Sequence, residues 1–449
     1  MHLPNDCSLI PTQGGGLAVS PSLGTFCAVM PDELESFQAL LDHRHGVSKL
    51  PSPLRERLDK HGFFGEPRPY RKPRQLLQFQ VTNACNLRCA YCSACSGTAR
   101  PNELTLEQVK QVIDDGISLN PNLQISFTGG EPLIVPWLFD AIDYAKSKSK
   151  ISVGLLSNLL LLKNNDSLLQ KVVDHIKNGL KIQMSMSGAD REVCNRLSGR
   201  DCYDDAIEVI HKIHKHGVLP NLDVMISASD AQANIDAFAD FRRALPSDLK
   251  ITLGILYPCG REQGEHTFNN NQLQEETLDA IAFEGGVTVP AQETSPLTNR
   301  RKACMCVENE NIYIRSDGSI FSCFKLVECF GHISEGLKSV MAKRRKTATK
   351  AVDLPMCRNC PFVSLCASGC RADNIILSGS TKAPICGKWR KQLIAEMLFE
   401  DKAYVFDWHI NYQLAEARKR GIETPTFIIT GMPEHSSIMA PQGTDRVHS

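Results

Sequence analysis

The chain of 449 residues is longer than a single hydrophobic core usually grows, so we expect two or three domains. Its 50 Lys and Arg residues balance 50 Asp and Glu residues, which argues against nucleic acid as the main ligand. Residues 1–13 contain no basic stretch followed by an apolar one, and the most apolar run, 153–162, is broken by Ser157 and Asn158. We therefore expect a cytoplasmic protein without a membrane segment.

Residues 1–74 come before the first long strand pattern. They hold short apolar pieces at 17–19 and 26–29, followed by helical patterns at 31–41 and 54–61. We interpret this N-terminal segment as a candidate small peptide-recognition domain.

Between residues 75 and 260, strand-like apolar runs alternate with helical patterns. Such alternation predicts an α/β fold in which right-handed crossovers join parallel strands into an open sheet or a partial barrel. In either architecture, chemistry gathers at the carboxyl ends of the strands. The predicted strands span residues 76–81, 123–127, 151–156, 180–184, 222–226 and 251–256.

The clearest helical pattern covers residues 105–115. Thr105 and Gln108 have the spacing of a capping box, and Gly116 is the predicted stop. The other helices predicted in this region span residues 167–176 and 203–214.

The remainder of the chain divides into three predicted segments. Residues 261–300 are polar and are interpreted as a linker. Residues 301–398 are rich in cysteine and short of periodic runs, so we expect bound metal to stabilise this second domain. Residues 399–449 hold one predicted helix, 403–420, and a polar tail that we expect to be disordered.

Cysteine is the outlying residue type, with 18 copies in a chain that carries no secretion signal. In a reducing compartment a disulfide framework is not expected, which makes metal ligation the better interpretation. The cysteines gather at positions 85–95 and again at 304–386.

The first group, Cys85-x3-Cys89-x2-Cys92, directly follows the first predicted barrel strand. A cubane 4Fe-4S cluster takes four thiolates, so three close cysteines would leave one iron open to another ligand. Cys95 would extend the group to a ferredoxin-like run, but residues 96–101 lack the Cys-Pro pair that such a run needs. A zinc site, which needs four ligands, stays open as an alternative.

A second motif, Gly129-Gly130-Glu131, follows the second predicted barrel strand. Paired glycines permit close approach of the backbone to a ligand, and an acid can face a cation. With Tyr91 before Cys92, these residues resemble the radical S-adenosylmethionine (SAM) superfamily over residues 75–260.

The resemblance implies a (β/α)6 partial TIM barrel in which SAM chelates the open iron and is split to a 5′-deoxyadenosyl radical. It further implies that Gly129, Gly130 and Glu131 hold the amino group of SAM. Ser185 and Arg196 stand where related enzymes contact the ribose and carboxylate, although Ser187-Gly188 replaces a common Asp-Gly. A surface arginine is the alternative for Arg196.

The second group of cysteines resembles the SPASM domain that follows the barrel in one branch of this superfamily. The resemblance implies two auxiliary 4Fe-4S clusters, the first held by Cys306, Cys323 and Cys370. For its fourth ligand we choose Cys304, with Cys259, Cys329 or an open iron as alternatives. The second cluster would be held by Cys357, Cys360, Cys366 and Cys386, where a zinc ribbon is the alternative.

The resemblance implies an oxygen-sensitive radical SAM oxidoreductase that acts on a peptide or protein, with or without a leader sequence. We predict a maturase of a ribosomally made peptide that forms a thioether or carbon-carbon crosslink and takes electrons from a flavodoxin or ferredoxin. Alternatives in the same branch are a small-molecule dehydrogenase, a peptide epimerase and a sulfatase-type formylglycine maturase. Phe324 stands where the last of these carries an Asp. An iron-sulfur electron carrier or a zinc module would be a different class, and no catalytic acid or base is identified.

Overall fold

The computed structural model describes residues 2–64, 75–256, 259–262, 281, 310–325, 328–402 and 410–424. They form two compact units. The barrel unit contains the described residues from 75 to 281 and from 310 to 347, and the terminal unit contains those from 2 to 64 and from 348 to 424. The predicted linker lies outside the described residues except for 261, 262 and 281.

The N-terminal segment begins with a three-stranded antiparallel sheet, β1 (Ser8–Thr12), β2 (Gly15–Ser20) and β3 (Thr25–Val29). Helices α1 (Leu34–Leu41) and α2 (Ser52–Lys60) follow it. Ala18, Cys27 and Val29 pack with Phe37 and Leu54 of these helices in one buried cluster. Because successive side chains along a strand point to opposite faces of the sheet, the residues next to these three in sequence face the other side.

The barrel unit is built on six parallel strands that lie side by side in the order of the chain. Every strand predicted for this region is present. Neighbouring strands pair directly, as in Leu76↔Gln124 and Leu222↔Ile251. Phe79 and Phe127 stack in the core with ring centroids 5.6 Å apart, because a parallel sheet is buried on both faces. The strands are β4 (Leu76–Gln80), β5 (Gln124–Thr128), β6 (Val153–Ser157), β7 (Lys181–Met186), β8 (Asn221–Ile226) and β9 (Ile251–Ile255).

A helix follows each of the first five of these strands, which confirms the α/β architecture. The helices are α3 (Leu106–Leu119), α4 (Leu138–Lys148), α5 (Asp166–Lys177), α6 (Arg191–Ser198), α7 (Tyr203–His214) and α8 (Ala231–Arg243).

Helix α3 has the predicted capping box but not the predicted end. Gln108 N donates to Thr105 Oγ1 at 3.3 Å, and Thr105 N donates to Gln108 Oε1 at 2.9 Å. Gly116 does not stop the helix, which continues to Leu119. A Cβ at Gly116 would lie 2.7 Å from Leu123 Cδ2, so the glycine lets Leu123 pack closely against the helix.

Three further strands extend the barrel sheet beyond β4, and a helix that follows them packs on the barrel core. They are β10 (Ile312–Ile314), β11 (Ser319–Phe321), β12 (Gly331–His332) and α9 (Leu337–Thr347). β10 pairs parallel with β4, and Leu337 and Met341 are buried in the barrel core. Residues 312–347 were predicted to belong to the cysteine-rich domain. They pack here instead, because an apolar strand covers the otherwise open edge of β4.

The terminal unit is completed by the C-terminal part of the chain. Leu17, Val19 and Phe26 of the N-terminal sheet pack with Leu393 and Met397 in a second buried cluster. Of the predicted C-terminal helix, residues 403–409 lie outside the described residues, as does the predicted tail. The helices are α10 (Val363–Cys366), α11 (Arg371–Ser378), α12 (Lys388–Phe399) and α13 (Ile410–Lys419). Among the described helices, none is both long and apolar enough to cross a membrane.

Candidate active site and cluster sites

The loop that carries Cys85, Cys89 and Cys92 begins at the carboxyl end of β4. Backbone hydrogen bonds close it at its base, from Cys85 N to Gly97 O at 3.0 Å and from Gly97 N to Asn83 O at 2.8 Å. All three thiols are partly buried. The loop therefore gathers the motif cysteines at the edge of the sheet where chemistry is expected.

Burial raises the pKa of the Cys85 thiol, and it raises the pKa of Cys89 to about 12. The nearby Cys92 contributes to the rise in both pKa values. Thiols in such surroundings stay protonated unless a cation replaces the proton, as metal ligation does. Among the described residues, no three His, Cys, Asp or Glu side chains converge on a position for one metal ion. A cubane takes one thiolate at each iron, so three thiols suit a 4Fe-4S cluster with one open iron, whereas a zinc site needs four ligands.

The segment after β9 fixes this loop from one side. Arg261 donates from Nε to Cys89 O and from Nη1 to Ser96 O, both at 2.8 Å. Gly260 has a φ of +69°, and a Cβ there would lie 2.2 Å from Cys92 O. The sequence alone carried no signal for this clamp, because Arg261 is distant from the cysteine motif along the chain.

Replacing Arg261 with Gln should loosen the loop and speed the loss of iron. Hydrogen bonds from a charged group contribute about 1.5–3 kcal/mol each, and at a partly buried site we expect the lower part of that range. The measurement is the rate at which a chelator removes iron from the anaerobic protein. Arg243→Gln, which alters an exposed arginine on α8, is the control. Equal rates for the two variants would contradict a clamping role.

The end of α6 fixes the loop from another side. Arg88 N donates to Ser198 O at 3.0 Å, and Ala90 N donates to Leu197 O at 2.8 Å. Tyr91, the aromatic residue of the motif, has its hydroxyl 2.6 Å from Ser187 Oγ. Ser198 Oγ in turn donates to Ser187 Oγ at 2.8 Å. Ser187, which the sequence marked only as a departure from Asp-Gly, thus anchors the motif tyrosine.

The glycine pair lies against the chain that enters the cysteine loop. Gly130 N donates to Thr82 O at 2.7 Å, and Glu131 N donates to Ala84 O at 2.8 Å. A Cβ at Gly130 would lie 2.1 Å from Ala84 O. Close backbone packing is therefore one physical requirement for glycine at this position.

Glu131 is fully buried, and burial raises the pKa of its carboxyl group. Its Oε1 accepts from Ser157 Oγ at 2.7 Å and from Leu133 N at 3.0 Å, and its Oε2 accepts from Asn158 N at 2.9 Å. Asn158 Nδ2 also donates to Asn86 Oδ1 at 2.9 Å. The acid thus ties the carboxyl end of β6 to the segment after β5, while its role toward SAM stays a prediction.

The two remaining predicted SAM contacts lie in the same unit. Ser185 is exposed near the end of β7. The side chain of Arg196 is about half exposed, at 52%, and pairs with Asp230. Arg196 therefore has a carboxylate partner within the protein, and its contact with SAM stays a prediction.

The terminal unit contains a cavity lined by four cysteines. They are Cys357, Cys360, Cys366 and Cys386, the residues predicted to hold the second auxiliary cluster. Burial, with a further contribution from the other three thiols, raises the pKa of Cys357 to about 11. Four thiols around one cavity are the donor set that a 4Fe-4S cluster takes, so the residues present fit this group.

The ligands predicted for the first auxiliary cluster are only partly described. Cys304 and Cys306 lie outside the described residues, Cys323 follows β11 in the barrel unit, and Cys370 is exposed at the start of α11 in the terminal unit. Of the alternatives for its fourth ligand, Cys259 is buried and near enough to Cys323 to have its pKa raised by it. Cys329 is exposed, and its Sγ donates to Gly331 O at 3.2 Å. This cluster stays a prediction.

Part of the barrel unit is similar to a known protein family. Residues 79–227 match the model of the Radical SAM superfamily. This stretch of the barrel unit is a radical SAM domain. The match begins within β4, includes the cysteine loop and Gly129–Glu131, and ends just after β8.

Known proteins resemble the radical SAM domain and its surroundings. Mycofactocin maturase MftC of Mycobacterium tuberculosis is 27% identical over 186 residues, which are 41% of this chain and 45% of that protein. GTP 3′,8-cyclase of Alkaliphilus metalliredigens is 24% identical over 270 residues, which are 55% of this chain and 80% of that protein. The chain thus spans about half the length of the maturase it matches.

A solved structure shares the fold. The crystal structure of Streptococcus suis SuiB bound to precursor peptide SuiA has a TM-score of 0.54 and 13% identity, and the match covers 85% of this chain and 98% of that one.

Proposed function

We propose that this protein is a radical SAM enzyme that modifies a ribosomally made peptide. The observation that carries the proposal is the cysteine loop at the carboxyl end of β4, onto which Gly130 and Glu131 are hydrogen-bonded. In this proposal Cys85, Cys89 and Cys92 hold a 4Fe-4S cluster. Gly129, Gly130, Glu131, Ser185 and Arg196 lie around SAM.

The cluster with SAM bound would supply a carbon-centred radical that removes a hydrogen atom from the substrate. The chain's own contribution is rigidity and exclusion of water. Arg261 and the end of α6 hold the loop from two sides, and the partly buried Tyr91 fixes its last turn. A rigid loop would hold the three thiols in a fixed position at the strand ends, as a radical reaction at one carbon requires.

The names of the relatives support a peptide substrate. MftC is named a maturase, and SuiB was crystallised with a precursor peptide. We propose that the product is a thioether or carbon-carbon crosslink. The auxiliary clusters would accept the second electron, and a flavodoxin or ferredoxin would supply the first. The cavity lined by four cysteines supports at least one auxiliary cluster in this chain.

The N-terminal sheet is a candidate site for recognition of the peptide. Both of its faces are covered by helices, so only its edges are available to a partner. Within the described part of the chain, β1 pairs with β2 alone, so its outer edge pairs with no strand. At β3, on the other side of the sheet, Arg57 donates a hydrogen bond to Ala28 O. We propose that an extended segment of the substrate adds to the β1 edge, a common mode of peptide recognition.

Anaerobic reconstitution and co-expression test the proposed function. We expect about 12 irons per chain for three clusters and formation of 5′-deoxyadenosine on reduction. A small peptide encoded beside this gene should lose the mass of two hydrogens when it is co-expressed with the enzyme. Uptake of solvent deuterium without a net mass change would indicate an epimerase. Turnover of a nucleotide with no change in any peptide would favour the small-molecule chemistry named for the GTP 3′,8-cyclase relative.

A further inference from the structure

Arg390 lies in the first turn of α12 and lines the cavity with Cys357, Cys360, Cys366 and Cys386. It is only 4% exposed. Its Nη1 donates to Ile385 O at 2.7 Å, one residue before Cys386. The other side of the guanidinium packs on Gly369, where a Cβ would lie 2.9 Å from both Nη atoms. The side chain is therefore held in place by the segments that precede Cys386 and contain Gly369.

The Nε of Arg390 is a buried donor for which the described residues supply no acceptor. A guanidinium stays charged and offers donors only, so burial does not remove the need for an acceptor. An unsatisfied buried donor costs about 1–3 kcal/mol, which makes an orphaned atom of this kind in a native protein require an explanation.

An acceptor for Arg390 Nε would lie in the cavity that this arginine lines with the four cysteines. The Nη1 of Arg390 is hydrogen-bonded to the carbonyl of Ile385, the residue next to Cys386. The guanidinium therefore lies close to one of the four thiols. Thiolate and sulfide sulfur atoms accept hydrogen bonds, and the cavity provides the donor set for a group that carries both.

We infer that Arg390 Nε donates a hydrogen bond to a sulfur of the 4Fe-4S cluster that Cys357, Cys360, Cys366 and Cys386 would hold, and that it raises the reduction potential of this cluster. The inference rests on the cluster assignment in the proposed function. Reduction adds one negative charge to the cluster. A cationic donor stabilises the reduced form more than the oxidised form, so the midpoint potential rises.

The test compares Arg390→Met with Lys391→Met in the full-length chain. Both variants remove one positive charge from the lining of the same cavity, but only the first removes the buried donor. Cys85, Cys89 and Cys92 are replaced with alanine in all samples, so that the SAM cluster contributes no signal. Iron and zinc are counted first, and the midpoint potentials are then measured by redox titration followed by electron paramagnetic resonance.

We expect the midpoint potential of one cluster to be more negative in Arg390→Met than in the parent, by a larger shift than in Lys391→Met. Equal shifts in the two variants, or no shift, would overturn the hydrogen bond while leaving the cluster assignment intact. Zinc in place of iron in the parent would overturn the assignment, and the inference with it.

Arg390 also supports Ile385, so its variant can lose the cluster altogether. In that event the parent protein decides, after labelling with ¹⁵N-arginine and reduction. A hyperfine coupling from an arginine nitrogen to the reduced cluster supports the hydrogen bond. Absence of that coupling overturns it.

Discussion

Replacing Cys85, Cys89 and Cys92 together with alanine is expected to abolish the cleavage of SAM to 5′-deoxyadenosine. The three thiols occupy the loop that follows β4, onto which Gly130 and Glu131 are hydrogen-bonded. Without them SAM would have no open iron to chelate. The iron content should fall from about 12 to about 8 per chain, because the auxiliary clusters use other cysteines. Chromatography of the reduced reaction mixture measures the nucleoside.

Cys95 provides the matched control for this prediction. It is a partly buried thiol in the same loop, and Cys95 N donates to Cys92 O at 3.1 Å. Cys95→Ala should keep the full iron content and SAM cleavage. If Cys95→Ala lost the cluster, a ferredoxin-like set of Cys89, Cys92 and Cys95 would be favoured. Persistence of 5′-deoxyadenosine in the triple variant would count against the whole assignment.

Gly130→Ala is expected to have an effect nearly as large. The added Cβ would meet Ala84 O at 2.1 Å and Ala84 C at 2.6 Å, and neither backbone atom can move aside as the end of a side chain can. The strain would open the hydrogen bonds from Gly130 N to Thr82 O and from Glu131 N to Ala84 O. We expect overpacking to cost about 1–3 kcal/mol of stability and to displace both the cysteine loop and the SAM contacts. Loss of SAM binding, measured by equilibrium dialysis under anaerobic conditions, is the readout.

Gly154→Ala is the control for the Gly130 variant. Gly154 lies in β6 of the same sheet, and the nearest atom to its added Cβ would be Ser126 Oγ, at an ordinary contact distance of 3.4 Å. This variant should bind SAM as the parent does. Equal SAM affinity in Gly130→Ala and Gly154→Ala would refute the packing argument for Gly130.

Local patterns in the sequence were sufficient for much of the barrel unit. The strands β4 to β9 were predicted within two residues at each end, because each is a short apolar run bounded by polar residues. The start of α3 was predicted because a capping box depends on only four successive residues. Gly116 was wrongly predicted to end that helix. Leu123 packs closely against this glycine, and that contact is not visible in the sequence.

Contacts between distant parts of the chain could not be predicted in the same way. The Arg261 clamp, the partnership of Tyr91 with Ser187 and the pairing of β10 with β4 each join segments separated by many residues. The terminal unit combines both ends of the described chain around one small sheet, for which sequence periodicity holds no signal.

The sequence by itself determined which candidate ligands lie close together along the chain, because ligand spacing within a short loop is a local property that the covalent chain sets directly. It thereby specified the cysteine loop, the glycine pair after the second barrel strand and the four cysteines that line one cavity. Only the tertiary structure decided what holds these groups in place. Burial and hydrogen-bond partners arise when distant segments pack, and so the roles of Arg261 and Arg390 became visible only in the folded chain.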